Sequence, residues 1–361
     1  MTVPNYIMKI IFVVIALTIV AYMLDDNAVF AANTQEVNNT LNIDKAPDDR
    51  LNGNLTYKPT LISDPWGYGY FIHPSIVQSD IPIFGHKYWM GVTPYPYTNQ
   101  SSSADQKLET PCLYYSDDGL TFADAANISN PLIIISPPAY NQSAYSSDPE
   151  IVYCSDNDRL YYYYVIGEVF SNYTAEDVKV KLYDGKEITI EYNCSDLHGV
   201  SPAVIYDDKA KKFYMWIIDI NCKPHQLMRY ESINGINYTN ETAMDMSKLY
   251  GDLWHMDVCY NQYDQTYYML ITFAGKPNLW LASAKNITDA FTLHQCTPVV
   301  YCTNISDNTS DTAAIYRSTG VFNNTSNTLD LWLSVQKKSN NMWHIVHATA
   351  KKERHDWKYM N

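Results

Sequence analysis

Five stretches decide the reading of this chain: His73-Pro74-Ser75-Ile76-Val77-Gln78, Asp148-Pro149-Glu150-Ile151-Val152-Tyr153, Ser201-Pro202-Ala203-Val204-Ile205-Tyr206, His255-Met256-Asp257-Val258-Cys259-Tyr260 and Asp311-Thr312-Ala313-Ala314-Ile315-Tyr316. Most open on polar residues and run into β-branched and aromatic ones, the composition that favours strands. Across a polar turn each is followed by a second apolar run: Tyr88 to Met90, Tyr161 to Val165, Phe213 to Ile217, Tyr267 to Ile271 and Leu329 to Leu333. A strand pair repeated five times at fairly even spacing marks a radial array of sheets rather than a sandwich. Asp118-Gly119 and Asn234-Gly235 supply hairpin turns for further strands in the same repeats. The fold class is therefore all-β, a five-bladed β-propeller preceded by an N-terminal signal peptide. A sixth start, which more blades would require, is not found.

The outward parts of the sequence bound the setting. Lys9, the apolar run from Ile10 to Leu24 and the small-residue stretch Ala28-Val29-Phe30-Ala31-Ala32 read as a leader over residues 1–32, with a membrane anchor as the alternative. Residues 33–55 are polar and read as a flexible lead-in, and residues 56–355 as the propeller. A strand within Leu55 to Ile62 is expected to complete the last blade, which would close the ring. Fourteen Asn-X-Ser/Thr sequons, among them Asn127, Asn193, Asn237, Asn240 and Asn286, fit a secreted or cell-surface glycoprotein. The net charge of −14 without a Lys/Arg cluster excludes a nucleic-acid partner. Seven cysteines with no CxxC pair exclude the usual zinc and redox motifs and leave room for up to three disulfides. No cofactor or metal ligand set is read, although a channel cation such as calcium would suit a propeller axis. A monomer is expected.

Side chains alternate along a strand, so the first and third residues of each start share one face. The first positions read His73, Asp148, Ser201, His255 and Asp311; the third read Ser75, Glu150, Ala203, Asp257 and Ala313. Carboxylates and imidazoles converging on one channel mouth make a polar site, although structural propellers also use Asp and His there to bond loop amides.

The Asp-Pro-Glu-Ile-Val-Tyr start with Asp-Asn-Asp-Arg-Leu-Tyr-Tyr-Tyr-Tyr behind it resembles a blade of the five-bladed β-propeller glycoside hydrolases, the superfamily of the family 43 and invertase-like enzymes. The resemblance covers roughly residues 60 to 350. It implies a glycan substrate and a three-carboxylate site, with an Asp base, an Asp that tunes pKa and a Glu acid. Asp148 matches the second of these. His73 stands where the first Asp would be, and Leu197-His198-Gly199-Val200-Ser201-Pro202 lacks the Glu. Asp257, Glu150 and Asp64 are then the substitute catalytic candidates. His73, His198, His255, Trp66, Tyr95, Trp254 and Arg317 are the substrate-binding ones, the aromatics because sugar rings stack on them. Two functions are expected from this: a glycoside hydrolase-like protein, or a non-catalytic glycan-binding surface propeller.

Overall fold

The computed structural model describes residues 55–56, 58–95, 109–125, 127–132, 143–169, 174–294, 298–302, 305–306, 312–323, 328–353 and 356–359. The chain divides into two units, Met1–Asn52 and Gly53–Asn361; the first, on which the expected leader and most of the expected lead-in fall, lies outside the described residues. The second is an all-β propeller whose five blade sheets are accompanied by a two-stranded parallel pair, Leu55–Thr56 with Ile305–Ser306.

Each blade is a meander starting at the axis. Blade 1 runs Phe71–Ile83, His86–Pro94, Cys112–Ser116 and Thr121–Asp124; blade 2 runs Ser143–Cys154, Arg159–Val169, Thr174–Tyr183 and Tyr192–His198. Blade 3 is Val200–Asp207, Lys212–Asp219, Gln226–Ser232 and Thr239–Ala243, and blade 4 is Leu253–Asn261, Thr266–Phe273, Trp280–Ala284 and Thr292–Leu293. Blade 5 has Thr312–Asn323, Thr328–Lys337 and Trp343–Glu353, and the outer edge of the last is covered by two antiparallel pieces, the borrowed Lys58–Pro59 and the chain's own Asp356–Tyr359. Leu61–Ile62 then crosses to the outer strand of blade 1. The N-terminal segment thus straddles the seam, as the sequence predicts. The innermost strands touch in ring order, with blade 5 returning to blade 1.

The core follows the ring. It consists of five apolar clusters, one at each blade interface. The tyrosine-rich run of blade 2 splits by alternation, Tyr161 and Tyr163 packing toward blade 3 and Tyr162 and Tyr164 toward blade 1. The predicted turns cap these interfaces. Asp118 Oδ1 accepts the amides of Leu120 and Thr121, and Asn234 Oδ1 those of Ile236 and Asn237. Each turn carbonyl then receives an aromatic donor from the preceding blade: Trp332 Nε1 to Gly119 O at 2.9 Å, and Tyr163 OH to Gly235 O at 2.8 Å. Gly235 is needed twice over, since its φ of +70° is left-handed and a Cβ there would lie 2.6 Å from the Tyr161 ring.

The six described cysteines are all free thiols, so the expected disulfides do not occur among the described residues. Five of the described sequon asparagines, Asn127, Asn193, Asn237, Asn240 and Asn286, are exposed, at or near the outer edges of blades 1 to 4.

Candidate functional site

The starts of the inner strands are bulged alike. In blade 1, Ile72 pairs with Thr93 and Ser75 with Gly91, so His73 and Pro74 together face Val92. Blades 2 and 3 repeat this with Asp148-Pro149 facing Tyr164 and Ser201-Pro202 facing Ile217. The first residue of each pair is left-handed, at φ 55°, 51° and 55° for His73, Asp148 and Ser201. A non-glycine residue held there is strained, and such strain gathers at functional positions. The bulge turns these side chains onto the axis. In blade 5 the two residues that share one partner are Tyr316 and Arg317, opposite Ser334. The fifth first position is therefore Tyr316, not Asp311, which lies outside the described residues.

At the mouth, His73, Asp148 and His255 are buried and converge. His73 Nδ1 lies 3.2 Å from Asp148 Oδ1, and His255 Nδ1 lies 3.7 Å from Asp148 Oδ2. The ring centroids of the two histidines are 5.2 Å apart. One ligand atom from each of the three residues falls within 4.8 Å of the others. Yet both nitrogens of His73, both of His255 and Asp148 Oδ1 make no hydrogen bond. Buried polar atoms are seldom left so, and each neutral imidazole keeps one nitrogen lone pair that no donor occupies. Asp148 Oδ2 alone is engaged, accepting the Ser201 amide at 2.9 Å.

Burial holds both imidazoles neutral, with pKa lowered to about 4 for His73 and about 3 for His255. Burial opposes ionisation of Asp148 as well. The histidines in the low pH range where they are charged, with Arg317 and the Ser201 amide, outweigh it and keep the acid below its ordinary value. Two neutral imidazoles and one carboxylate are the protonation states of a metal-ligand set.

Two acids that the sequence reading missed stand beside this cluster. Glu109, just ahead of the third strand of blade 1, is buried and pushed up to about 8 by burial and by the charge of Asp148. Glu176, at the start of the third strand of blade 2, is raised by burial and again by Asp148, and accepts a 2.6 Å hydrogen bond from Tyr145 OH. Tyr145 reaches it by lying across Gly167, where a Cβ would sit 2.1 Å from the tyrosine ring. Both acids lie on strands or loops that the five starts do not mark.

The opposite wall is aromatic. Tyr316 packs on His73 and His255, with centroids 5.3 and 4.2 Å away, and on Trp343 at 5.4 Å. Trp254 donates its indole N–H to Tyr316 OH at 2.7 Å and sits edge-on to His255. Burial raises the Tyr316 phenol, and the charges of Asp148 and Glu109 raise it further. Tyr95, hydrogen-bonded through its amide to Tyr70 O, lies within electrostatic reach of that phenol.

Other predicted residues go elsewhere. Arg317 is fully buried and plugs the axis, donating to Pro149 O, Pro202 O and Glu150 Oε2 at 2.7, 2.8 and 2.9 Å. Glu150 and Asp257 lie one residue layer deeper than Asp148 and line a cavity of about 530 Å³ at the other end of the channel. Burial raises both acids, and the charge of Asp257 raises Glu150 further. They do not share the mouth with Asp148. Asp64 is spent on its own loop, accepting the amides of Trp66, Tyr68 and Gly69, and Trp66 is exposed on that loop. His198 is exposed on the outermost strand of blade 2 and pairs with Asp177 at 2.9 Å. Because strand alternation and loop capping, not sequence proximity, set these directions, neither Asp64 nor His198 enters the pit.

No protein-family model matches the chain, and no curated protein matches it in sequence. Solved structures do resemble it. An N-acetylgalactosamine deacetylase from F. plautii, solved with blood group B trisaccharide, superposes with a TM-score of 0.67 at 17% identity over 82% of this chain and 96% of that one. A GH43_1 enzyme from Xanthomonas citri gives 0.58 at 9% identity, over 85% and 94%. An exo-β-1,3-galactanase from Phanerochaete chrysosporium also gives 0.58, at 11% identity over 86% and 67%. At these identities the likeness establishes the five-bladed fold that the chain shares with glycoside hydrolases.

Proposed function

We propose that the mouth of the propeller is the active site of an exported, cation-dependent hydrolase that removes an acyl group from an N-acylated sugar. The observation that carries this reading is the convergence of one ligand atom each from His73, Asp148 and His255, three buried residues whose imidazole nitrogens and Asp148 Oδ1 have no hydrogen-bond partner. Support also comes from the fold, whose solved examples include a deacetylase of an N-acetylated sugar. The chain carries no contiguous metal motif because the three ligands come from three blades.

A divalent cation held by these residues would supply Lewis acidity to an acyl carbonyl and its attacking water. His73 and His255 offer neutral nitrogens and Asp148 a charged oxygen, so no ligand needs to lose a proton first near neutral pH. Glu109, protonated below about pH 8, is the proton donor. As the water oxygen bonds to the acyl carbon and the C–N bond breaks, the Glu109 proton passes to the amine nitrogen. The proton that the water gives up returns the Glu109 carboxylate to its acid form. Products are a carboxylic acid and a free amino sugar. Trp254 and Tyr95 supply faces on which a sugar ring can stack.

A second reading, cleavage of a glycosidic bond, draws on one observation: a protonated Glu109 near an ionised Asp148 resembles the acid and carboxylate of such enzymes. It is the weaker one because both neighbouring first positions that would flank the bond, His73 and Ser201, carry no carboxylate. A non-catalytic glycan-binding propeller would not need the ligand set.

Incubating the protein with N-acetylhexosamine oligosaccharides, with Zn²⁺, Mn²⁺ or Ca²⁺ or with chelator, separates these readings. Acetate release that chelator stops and the cation restores is expected. New reducing ends without acetate would favour the glycosidase, and binding without either product would favour the lectin-like protein.

A further inference from the structure

We infer that Tyr316 is the hydrogen-bond donor that holds the substrate's carbonyl oxygen beside the His73–Asp148–His255 cluster, with Trp254 as the positioning residue that sets its hydroxyl. This rests on the acyl-hydrolase reading and adds to it the group that would bind the developing oxyanion.

The geometry begins with the blade 5 bulge. Tyr316 and Arg317 share a single partner, Ser334, so consecutive side chains both turn to the axis instead of alternating. Arg317 descends and becomes the plug; Tyr316 stays at the mouth against both histidine rings. The backbone that carries them is fastened: Ser334 Oγ donates to Arg317 O at 2.6 Å, and the His73 amide donates to the same Oγ at 3.1 Å. The phenol and the cluster are thus held by one shared hydroxyl across blades 1 and 5.

The direction of the phenolic proton follows from its neighbour. An indole N–H can only donate, so in the 2.7 Å contact with Trp254 the Tyr316 oxygen is the acceptor. Its own O–H must point elsewhere, and among the described residues it meets no acceptor. Trp343 closes one side of the ring, and His255 and His73 close another. That leaves the proton for a ligand in the pit, on which His73, Asp148 and His255 converge. A carbonyl engaged by the cluster would find this donor preset, and a donor fixed before charge develops needs no reorganisation as it acts.

The test uses the full chain loaded with Co²⁺, whose visible absorption reports the ligand environment without turnover. Acetate, the product of the proposed reaction, is titrated into wild type, Tyr316→Phe and Trp254→Phe. Tyr316→Phe keeps every ring contact and removes only the hydroxyl. The expected result is unchanged Co²⁺ affinity and acetate binding weaker by about tenfold or more in Tyr316→Phe, with a smaller loss in Trp254→Phe. With N-acetylated substrate, kcat of Tyr316→Phe should fall by roughly 100-fold while KM changes little. Equal acetate affinity and kcat in wild type and Tyr316→Phe would overturn the inference, as would a loss of Co²⁺ affinity, which would make the phenol a packing group. Wild type that takes up Co²⁺ but releases no acetate from glycans would defeat the acyl-hydrolase reading while the acetate titration still decides Tyr316. Failure of wild type to bind Co²⁺ defeats both.

Discussion

Asp148 and Asp257 are both buried acids on inner strands, yet they are opposite cases. Asp148 is held ionised between imidazoles; Asp257 shares a buried layer with Glu150, and a single cation, Arg317, serves the two. That pair retains a proton after the unfolded chain has released it, because burial and repulsion disfavour two charges there. The folded state then binds more protons than the unfolded one between the ordinary carboxyl value of 4.5 and about 8, so stability falls as pH rises through this window. Asp257→Asn removes the repulsion and lets Glu150 ionise against Arg317. Denaturant unfolding at pH 5 and pH 8 should show a decline in both proteins, since Glu109 also holds its proton in this window, but one shallower in the variant by up to about 1.4 kcal/mol per pH unit. Equal declines would refute the shared proton. At this scale the sequence was partly legible. His73, Asp148 and His255 are marked by their place at the strand starts, whereas Glu109 and Glu176 belong to third strands and carry no repeat of their own. Glu150 was visible but its direction was not, since Arg317 claims it from a blade away.

The bulged strand start is the element on which the site depends. Three blades announce it with a polar residue before Pro, and those three were found in register. Blade 5 bulges at Tyr316-Arg317 without a proline and without the left-handed first residue, so its sequence does not mark the position, and Asp311, five residues earlier, resembles the other polar starts. The turns behave more openly: Asp118-Gly119 and Asn234-Gly235 form the loops that their residues predict. Gly235→Ala tests how tightly a turn is bound into the interface. The added methyl meets Tyr161 at 2.6 Å and the left-handed backbone resists it, whereas at Gly275, also left-handed at φ +68°, nothing lies within 4 Å. Thermal or denaturant melts should show a loss of about 2–4 kcal/mol for Gly235→Ala and about 1 kcal/mol for Gly275→Ala. Equal losses would mean that backbone strain alone governs both sites.

Across the molecule, five interfaces of one kind make five apolar clusters, and the ring holds only if the last is closed. Trp332 closes it, buried between blades 5 and 1 with its N–H on Gly119 O. Trp332→Ala should cost about 3–5 kcal/mol and lower one cooperative transition rather than split it; two separate transitions in calorimetry would show that the blades do not fold as a unit. The number of blades was legible because each repeats a strand pair, and the role of the segment before residue 62 because a ring needs a seam. What the repeat could not reveal is that its leading side chains come from three blades to enclose one point. Anomalous diffraction from crystals of the chain grown with Zn²⁺, collected at the zinc edge, addresses that point directly. The account predicts a single peak at the mouth, about 2.0–2.2 Å from one nitrogen each of His73 and His255 and one oxygen of Asp148. A mouth without a peak at saturating Zn²⁺, its imidazoles hydrogen-bonded to one another or to water, would contradict it.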